Sequence, residues 1–243
     1  MDSNEVMKFI SGGRTDYIFN FLECEDWKER LFDGPVLLLQ WLVYYNDTTA
    51  IRAILHAGGD LESIDINSEL GNAAFFGHWK VCDLLINHGA DPNAVIDKTG
   101  ETPLHNALAK AGRPYFHYVV RLLLEKGAKP NVATIPGIET GAFMRDIRTC
   151  GETPLHRAAA YAGPETIKLM LDHGADKTIK DANGDTPLTW ASRHLRPGKV
   201  LQLLAYGPHW ISDKHVEVNI SDHGAGWGNT MDWKLVGDYL PEE

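Results

Sequence analysis

The chain has 243 residues, of which 44% are hydrophobic and 23% are charged, a composition typical of a protein that buries a core. Its net charge of −10 lies mostly at the two ends, because residues 1–33 contribute −4 and residues 208–243 contribute −5. Acidic ends and the lack of a basic stripe argue against nucleic-acid binding. With no apolar run long enough to cross a bilayer and no charged-then-apolar leader, we expect neither a membrane span nor secretion.

Three cysteines, Cys24, Cys82 and Cys150, are widely spaced and form no Cys-x-x-Cys pair. An odd count without paired spacing argues against a disulfide framework and against a zinc site, and it suits a reducing compartment. We therefore expect a cytoplasmic protein without a metal or other cofactor, in which each thiol packs as a small core side chain.

One short pattern recurs along the chain. Gly-Glu-Thr-Pro-Leu-His begins at Gly100 and again at Gly151, and Gly-Asp-Thr-Pro-Leu-Thr begins at Gly184. In the last two copies a glycine follows at the same distance after the threonine, at Gly174 and Gly207. This pattern resembles the signature of ankyrin repeats. The resemblance implies an all-α ankyrin-repeat α-solenoid of helix-turn-helix repeats joined by β-hairpin loops.

Taken in chain order, the two markers place repeat starts near positions 4, 37, 68, 102, 153 and 186. The first start comes from counting one repeat length back from the second, and Gly13 to Leu22 then matches the turn and second helix of a repeat. The array therefore has about six repeats including a degenerate N-terminal one. We predict an ankyrin-repeat domain over residues 1–207 and an irregular C-terminal cap over residues 208–243. Because each repeat buries its apolar side only against its neighbours, the array is the stable unit.

The best-preserved repeat shows how the local sequence specifies its helices. Thr153 can cap a helix whose first position is proline, where a missing N–H costs nothing. Gly174 follows the second helix, where a left-handed cap favours glycine. His105 and His156 invite a reading as metal ligands or acid–base groups, but the resemblance implies that they hydrogen-bond backbone between adjacent repeats.

The fourth and fifth repeats are separated by an unusually long connection. The distance from Gly127 to the next repeat start at Thr153 is at least twice the distance that separates the other marker glycines from the starts that follow them. The surplus lies in 133–148, which the family's geometry makes an enlarged hairpin on the binding side. A loop this long and this apolar either has a function or packs on its own protein, and both interpretations stay open.

The tail over 208–243 leaves the repeat pattern. We expect it to cover the apolar end of the last repeat, because it is rich in tryptophan and contains an alternating segment at 216–220. It also holds potential metal ligands whose spacing matches no known site: His209, Asp213, His215, Asp222 and His223. No nucleophile elbow, phosphate-binding loop or His-Glu-x-x-His motif is present, so we predict no enzyme activity.

Ankyrin proteins bind other proteins through hairpin tips and the exposed face of the first helix of each repeat, which predicts a partner-binding set here. For Phe75, Phe76 and Tyr161, packing against the insert or a neighbouring hairpin is an equally open interpretation. The residues carried over by motif position, together with those of the insert, are Phe75, Phe76, Lys98, Glu101, Phe143, Arg145, Asp146, Arg148, Glu152, Tyr161, Asn183, Asp185, Arg193 and His194.

The sequence therefore predicts a non-catalytic, monomeric module that binds one or more partner proteins through its concave face and the extended hairpin insert. The acidic ends favour a basic partner. An inhibitor or immunity-type protein is one such role. The alternatives are an enzyme or metal-dependent protein with a site between the insert and the tail, and a structural module that self-associates.

Overall fold

A computed structural model describes residues 3–96, 98–110, 112, 116–141 and 150–207. Within these ranges the chain forms thirteen α-helices and no β-strand. The first three are α1 (Ser3–Ser11), α2 (Ile18–Leu22) and α3 (Trp27–Arg30), with a turn of 3-10 helix at Thr15–Tyr17. Five pairs follow: α4 (Leu38–Tyr44) and α5 (Thr48–His56), α6 (Ile66–Phe76) and α7 (Trp79–Asn87), α8 (Pro103–Ala107) and α9 (Phe116–Glu125), α10 (Pro154–Tyr161) and α11 (Pro164–Asp172), α12 (Pro187–Arg193) and α13 (Gly198–Leu204).

The helix pairs stack in one row. The first helix of a pair packs on the first helix of the next, as α4 does on α6 and α10 on α12, while the second helices α7, α9, α11 and α13 pack on one another in the same order. Buried apolar side chains form one cluster that extends from Val6 to Leu204. The predicted all-α repeat solenoid is therefore confirmed. The predicted tail over 208–243 lies outside the described residues.

Local sequence explains where the repeat helices begin and end. Thr102, Thr153 and Thr186 have extended backbone, and each is followed by a proline at the first helical position. The Thr186 hydroxyl accepts the backbone N–H of Thr189 at 3.4 Å, which caps α12. Gly174 follows α11 with φ at +84°, a left-handed conformation that costs glycine least.

Two buried histidines join consecutive repeats. The backbone N–H of Thr102 donates to Nδ1 of His105 at 3.1 Å, so Nε2 carries the ring proton and donates to the Glu152 carbonyl at 3.2 Å. His156 repeats the arrangement with Thr153 and with the Asp185 carbonyl at 3.1 Å. Burial lowers the pKa of both imidazoles, and for His105 the nearby Arg157 charge lowers it further. The predicted structural role of these histidines is confirmed.

Asparagine side chains form a second link between repeats. The Asn93 side chain donates to the Gly127 carbonyl at 3.0 Å and accepts from the Lys129 N–H at 2.8 Å. Asn131 does the same with Gly174 and Asp176 one repeat further on. Each asparagine thus satisfies backbone groups of the turn that follows the next repeat's second helix, which fixes the spacing between repeats.

The connections between repeats are turns with a few cross-turn hydrogen bonds. Ile96 N–H donates to the Glu101 carbonyl at 2.8 Å, and Asp181 N–H donates to the Asp185 carbonyl at 2.8 Å. These connections lie at the start of the first helices and therefore line the same face of the array. Among the described helices, none combines the length and the apolar character needed to cross a bilayer.

Candidate functional site

A groove of about 570 Å³ lies between α6, α8 and the connection that precedes α8. Its lining includes the amide side chains of Asn72 and Asn106 and the exposed side chains of Asp65, Asp91 and Lys98. Because an amide offers both donors and acceptors, this lining is suited to the peptide groups of an extended chain.

The groove continues into an exposed stripe along α6. Asp65, Ser68, Asn72 and Phe76 are all exposed and are three or four residues apart, so they lie on one side of the helix. Asp65 caps α6, and its hydrogen bonds from the hydroxyl and N–H of Ser68 lower the pKa of its carboxyl group. The polar end of the stripe is therefore negatively charged and its other end is aromatic.

An aromatic patch, defined as Trp41, Tyr44, Phe75 and Phe76, occupies the ends of α4 and α6. The ring centroids of Tyr44 and Phe76 are 5.2 Å apart at 85°, and those of Phe75 and Phe76 are 5.3 Å apart at 84°. Trp41 packs edge-on against Tyr44 at 6.2 Å. Tyr44 is 50% exposed and Phe76 39% exposed, although side chains of this size usually bury most of their surface.

Four exposed aliphatic side chains, which we call the apolar tips, lie in two neighbouring connections. Val95 and Ile96 precede α8, whereas Ile135 and Ile138 belong to the described part of the insert, and each is between 41% and 49% exposed. The two connections touch, because the Ile135 N–H donates to the Thr99 carbonyl at 2.9 Å. Branched apolar side chains concentrated at the tips of two adjoining loops are typical of a surface that binds a protein.

Beneath these tips lies a buried cluster of charged side chains, which we call the charged anchor: Glu101, Glu152 and Arg157. Arg157 is 0% exposed. Its Nε and Nη2 donate to one Glu152 oxygen at 2.8 and 2.5 Å, Nη2 lies 2.9 Å from Glu101 Oε1, and Nη1 donates to the His105 carbonyl at 3.0 Å. A buried guanidinium is tolerated because each of its edges meets an acceptor.

Two predicted partner-binding residues belong to this anchor rather than to the surface. Glu101 is 3% exposed and Glu152 0% exposed, because Arg157 and the insert pack over both carboxylates. The prediction that these two residues lie on the surface is therefore wrong, because both are inside the protein.

Two further predicted residues, Tyr161 and His194, are also inside the protein. They are 8% and 6% exposed, and their rings pack against each other at 5.8 Å. The surface position expected for both residues is therefore wrong, and the Tyr161 ring packs on His194 at the end of α12. Burial at the junction of α10 and α12 removes both from the exposed face.

Some of the remaining predicted partner-binding residues are at least partly exposed, and the others lie outside the described ranges. Phe76, Lys98 and Asn183 are exposed and Phe75 is half-buried. Arg193 is exposed and pairs with the carboxylate of Asp185, which is mostly covered. The insert residues Phe143, Arg145, Asp146 and Arg148 lie outside the described residues.

Sequence reasoning missed Tyr44 and Arg157. Tyr44 lies seven positions after the repeat start near 37, which is the same offset that selected Phe75 from the start at 68. Applying that offset to every repeat would have found it. Arg157 occupies the variable position after the motif histidine, where the pattern alone does not distinguish a buried side chain from an exposed one.

The structure gives little support to reactive or metal-binding side chains in the part of the chain that it describes. Those residues contain no group of three or more His, Cys, Asp or Glu side chains placed to hold a metal ion, and the five candidates in the tail lie outside them. Cys82 is buried, and burial raises the pKa of its thiol to about 12. A thiol with so high a pKa is a poor nucleophile at neutral pH.

Comparison with known families and proteins agrees with this architecture. A family model of ankyrin repeats matches residues 39–134 and 138–216, well over half of the chain. The human neurogenic locus notch homolog protein 4 is 35% identical over 144 residues, which is 56% of this chain and 6% of that protein.

Two further relatives carry ankyrin repeats or the family name. Ankyrin repeat and SOCS box protein 3 of Bos taurus is 32% identical over 62% of this chain and 26% of its own length. Human Rabankyrin-5 is 32% identical over 50% of this chain and 9% of its own length. The chain thus spans about a quarter or less of the length of these three relatives.

Proposed function

Because the chain belongs to the ankyrin-repeat family, whose members generally mediate protein–protein interaction, we propose that it binds one partner protein. The proposed surface comprises the groove, the exposed stripe of α6, the aromatic patch and the apolar tips. Its role is non-catalytic binding: the partner is held, not chemically changed.

The aromatic patch carries this proposal. Tyr44 and Phe76 together expose a large aromatic surface at the end of a polar stripe, and aromatic side chains dominate the binding energy of protein interfaces. The amide-lined groove beside them supplies the polar contacts that fix the orientation of a bound segment. A surface of this kind fits a partner that presents an extended segment with at least one apolar side chain.

Rigidity supports the same proposal. The histidine and asparagine links hold the first helices in register before any partner arrives, so little ordering entropy is lost on binding. A preformed surface of this kind suits a protein that blocks a toxin or an enzyme, and we propose an inhibitor or immunity-type role on that ground. We further propose that the protein acts as a cytoplasmic monomer; light scattering across a concentration series tests the monomer.

The sign of the surface charge favours a basic partner. The net charge is −10, and the exposed charged side chains of the groove, Asp65, Asp91 and Lys98, together carry one excess negative charge. Opposite charge accelerates association and the acceleration is screened by salt. Replacing both aspartates by asparagine is expected to slow association severalfold at low salt and to leave the dissociation rate almost unchanged. If the association rate is unaltered, the proposal that the partner is basic is wrong.

The test compares two pairs of exposed aromatic residues. The chain is used to capture a partner from a lysate of its source, and binding to the purified partner is then measured by calorimetry. Tyr44→Ala with Phe76→Ala is expected to weaken binding at least 100-fold, because each truncation of an interface aromatic costs about 2 kcal/mol.

A matched control lies on the second helices. Trp79 and Tyr118 are 43% and 53% exposed and their ring centroids are 6.5 Å apart, yet they lie on α7 and α9, away from the groove. Trp79→Ala with Tyr118→Ala is expected to change the affinity less than threefold. If the control pair weakens binding more than the Tyr44 and Phe76 pair, the partner binds the second helices and the proposed surface is wrong.

A further inference from the structure

The described beginning of the insert is held against the repeats at both of its ends. We call residues 134–141 the strap. Thr134 and Thr140 are 2% and 5% exposed, whereas the residues between them are exposed. A loop that lies loosely on the surface would not have both of its ends buried.

Both buried ends reach the charged anchor. At one end, the Thr134 hydroxyl donates to Glu152 Oε2 at 2.8 Å and the Thr134 N–H donates to the Glu152 carbonyl at 3.0 Å. At the other end, Arg157 Nη2 donates to the Thr140 hydroxyl at 3.1 Å and the Gly141 N–H donates to Glu101 Oε2 at 3.0 Å. Each glutamate therefore receives one end of the strap, and Arg157 lies between the two glutamates.

The charge balance of the anchor explains why the strap docks there. Among the described residues, two carboxylates share one guanidinium, so within that part of the chain the cluster has one more negative than positive charge. A buried carboxylate in that condition is strongly unfavourable unless other donors reach it. The Thr134 hydroxyl and the Gly141 N–H are such donors, and the strap supplies both.

We propose that Arg157 is a positioning residue: together with Glu101 and Glu152 it fixes the strap as a preformed part of the protein's surface and holds Ile135 and Ile138 outward. The use of these two side chains in binding rests on the proposed function. The anchoring itself does not, because it concerns only contacts within this chain.

The test is amide hydrogen exchange on the full chain, with no partner present. The principal variant combines Arg157→Met, Glu101→Gln and Glu152→Gln, which removes the three charges together and leaves no lone buried ion. The N–H groups of Thr134, Ile135 and Gly141 are expected to exchange at least tenfold faster. The N–H groups of Asp181 and Gly184, which are hydrogen-bonded in the next connection, are expected to change less than twofold.

A matched control changes the same motif position one repeat later. Trp190→Phe removes the indole N–H that donates to Asp181 Oδ2 at 2.9 Å. It is expected to accelerate exchange at Asp181 while leaving the strap unchanged. The anchor is disproved if the principal variant leaves the three strap amides as protected as before, or if it accelerates both connections equally.

A second variant covers the case in which the triple substitution prevents folding. Thr134→Val with Thr140→Val keeps all three charges and removes only the two strap hydroxyls. Exchange at Gly141 is expected to rise about threefold to tenfold, and an unchanged rate overturns the proposal. If the strap amides exchange faster but a captured partner still binds with unchanged affinity, the anchoring proposal is supported. In that case the strap is not part of the binding surface.

Discussion

The interface between α8 and α10 and the interface between α10 and α12 share one backbone link but are filled differently. In each, a histidine donates through Nε2 to a carbonyl of the next repeat, His105 to Glu152 and His156 to Asp185. Arg157 fills the first interface and bonds to the His105 carbonyl. Trp190, at the equivalent position one repeat later, fills the second, with its ring centroid 5.2 Å from that of His156.

The difference lies in how many hydrogen bonds the filling side chain can make. An indole has one donor, which Trp190 uses on Asp181, whereas a guanidinium has five in a fixed plane. Arg157 therefore links two glutamates, a carbonyl and the strap at once. The long connection occurs at the interface that contains this buried cluster, and both ends of the strap are hydrogen-bonded to it.

Among the substitutions that test this comparison, we expect Arg157→Leu alone to have the largest effect on stability. The substitution removes the cation with which Glu101 and Glu152 pair among the described residues. We expect the free energy of unfolding to fall by about 3–5 kcal/mol, as it does when one partner of a buried ion cluster is removed. Urea denaturation followed by circular dichroism measures it. The triple variant Arg157→Met, Glu101→Gln and Glu152→Gln also lacks the two carboxylate charges, and it is expected to recover at least half of the stability that Arg157→Leu loses. A triple variant as unstable as Arg157→Leu would contradict this explanation.

Trp190→Phe should have a smaller effect on the other interface. The substitution leaves an aromatic ring in place but removes the bond to Asp181 and part of the buried volume, which together cost about 1–2 kcal/mol. The same denaturation experiment applies, and Trp190→Tyr provides a second ring of different size. A loss larger than that of Arg157→Leu would show that aromatic packing outweighs the buried charges.

The two histidine links should differ in their response to pH. Because folding lowers the pKa of each imidazole, the unfolded chain binds more protons below its pKa of about 6.5. The free energy of unfolding is therefore highest above about pH 6.5 and decreases as the pH falls toward the pKa of the folded state. Each histidine lowers it by at most about 1.4 kcal/mol per pH unit. Denaturation between pH 7.5 and 5.5 should show this slope.

Comparing His105→Gln with His156→Gln separates the two contributions. Arg157 opposes protonation of His105, whereas Asp181 and Glu152 favour protonation of His156. His105→Gln should thus remove more of the pH dependence. Equal slopes in the two variants would contradict the expected difference between the two histidines.

The smallest effect is expected for the exposed ion pair of the last repeat. Arg193 is 64% exposed and pairs with Asp185, and exposed pairs contribute about 0.2–1 kcal/mol. Arg193→Ala should lower the free energy of unfolding by no more than this, and less at high salt, since screening removes most of the attraction. A loss that salt leaves unaltered would point to packing by the arginine stem.

Sequence alone could predict the repeating frame because its signals are local. Thr-Pro at a helix start and glycine at a helix end act through the few residues around them, so α8, α10 and α12 begin directly after Thr102, Thr153 and Thr186. The histidine links were also predictable from the resemblance, because they connect motif positions that every repeat shares.

The candidate site was less predictable because it depends on residues far apart in sequence. Glu101 and Arg157 belong to different repeats and meet only after those repeats have stacked, so no local pattern shows that both are buried. Tyr161 and Phe76 occupy similar positions in their repeats, yet Tyr161 packs on His194 while Phe76 remains exposed. What lies opposite each side chain in the next repeat decides its exposure.

The links between α8 and α10 also have a consequence for protein engineering. His105 links α8 to the start of α10, and Asn131 links the turns that follow α9 and α11. Both links form although the repeat starts at Thr102 and Thr153 are much further apart in sequence than those at Thr153 and Thr186. We therefore expect that chain added between the two ends of the strap would leave the stacking geometry on either side unchanged. A foreign peptide spliced into this loop would be displayed at a fixed place on a rigid rod.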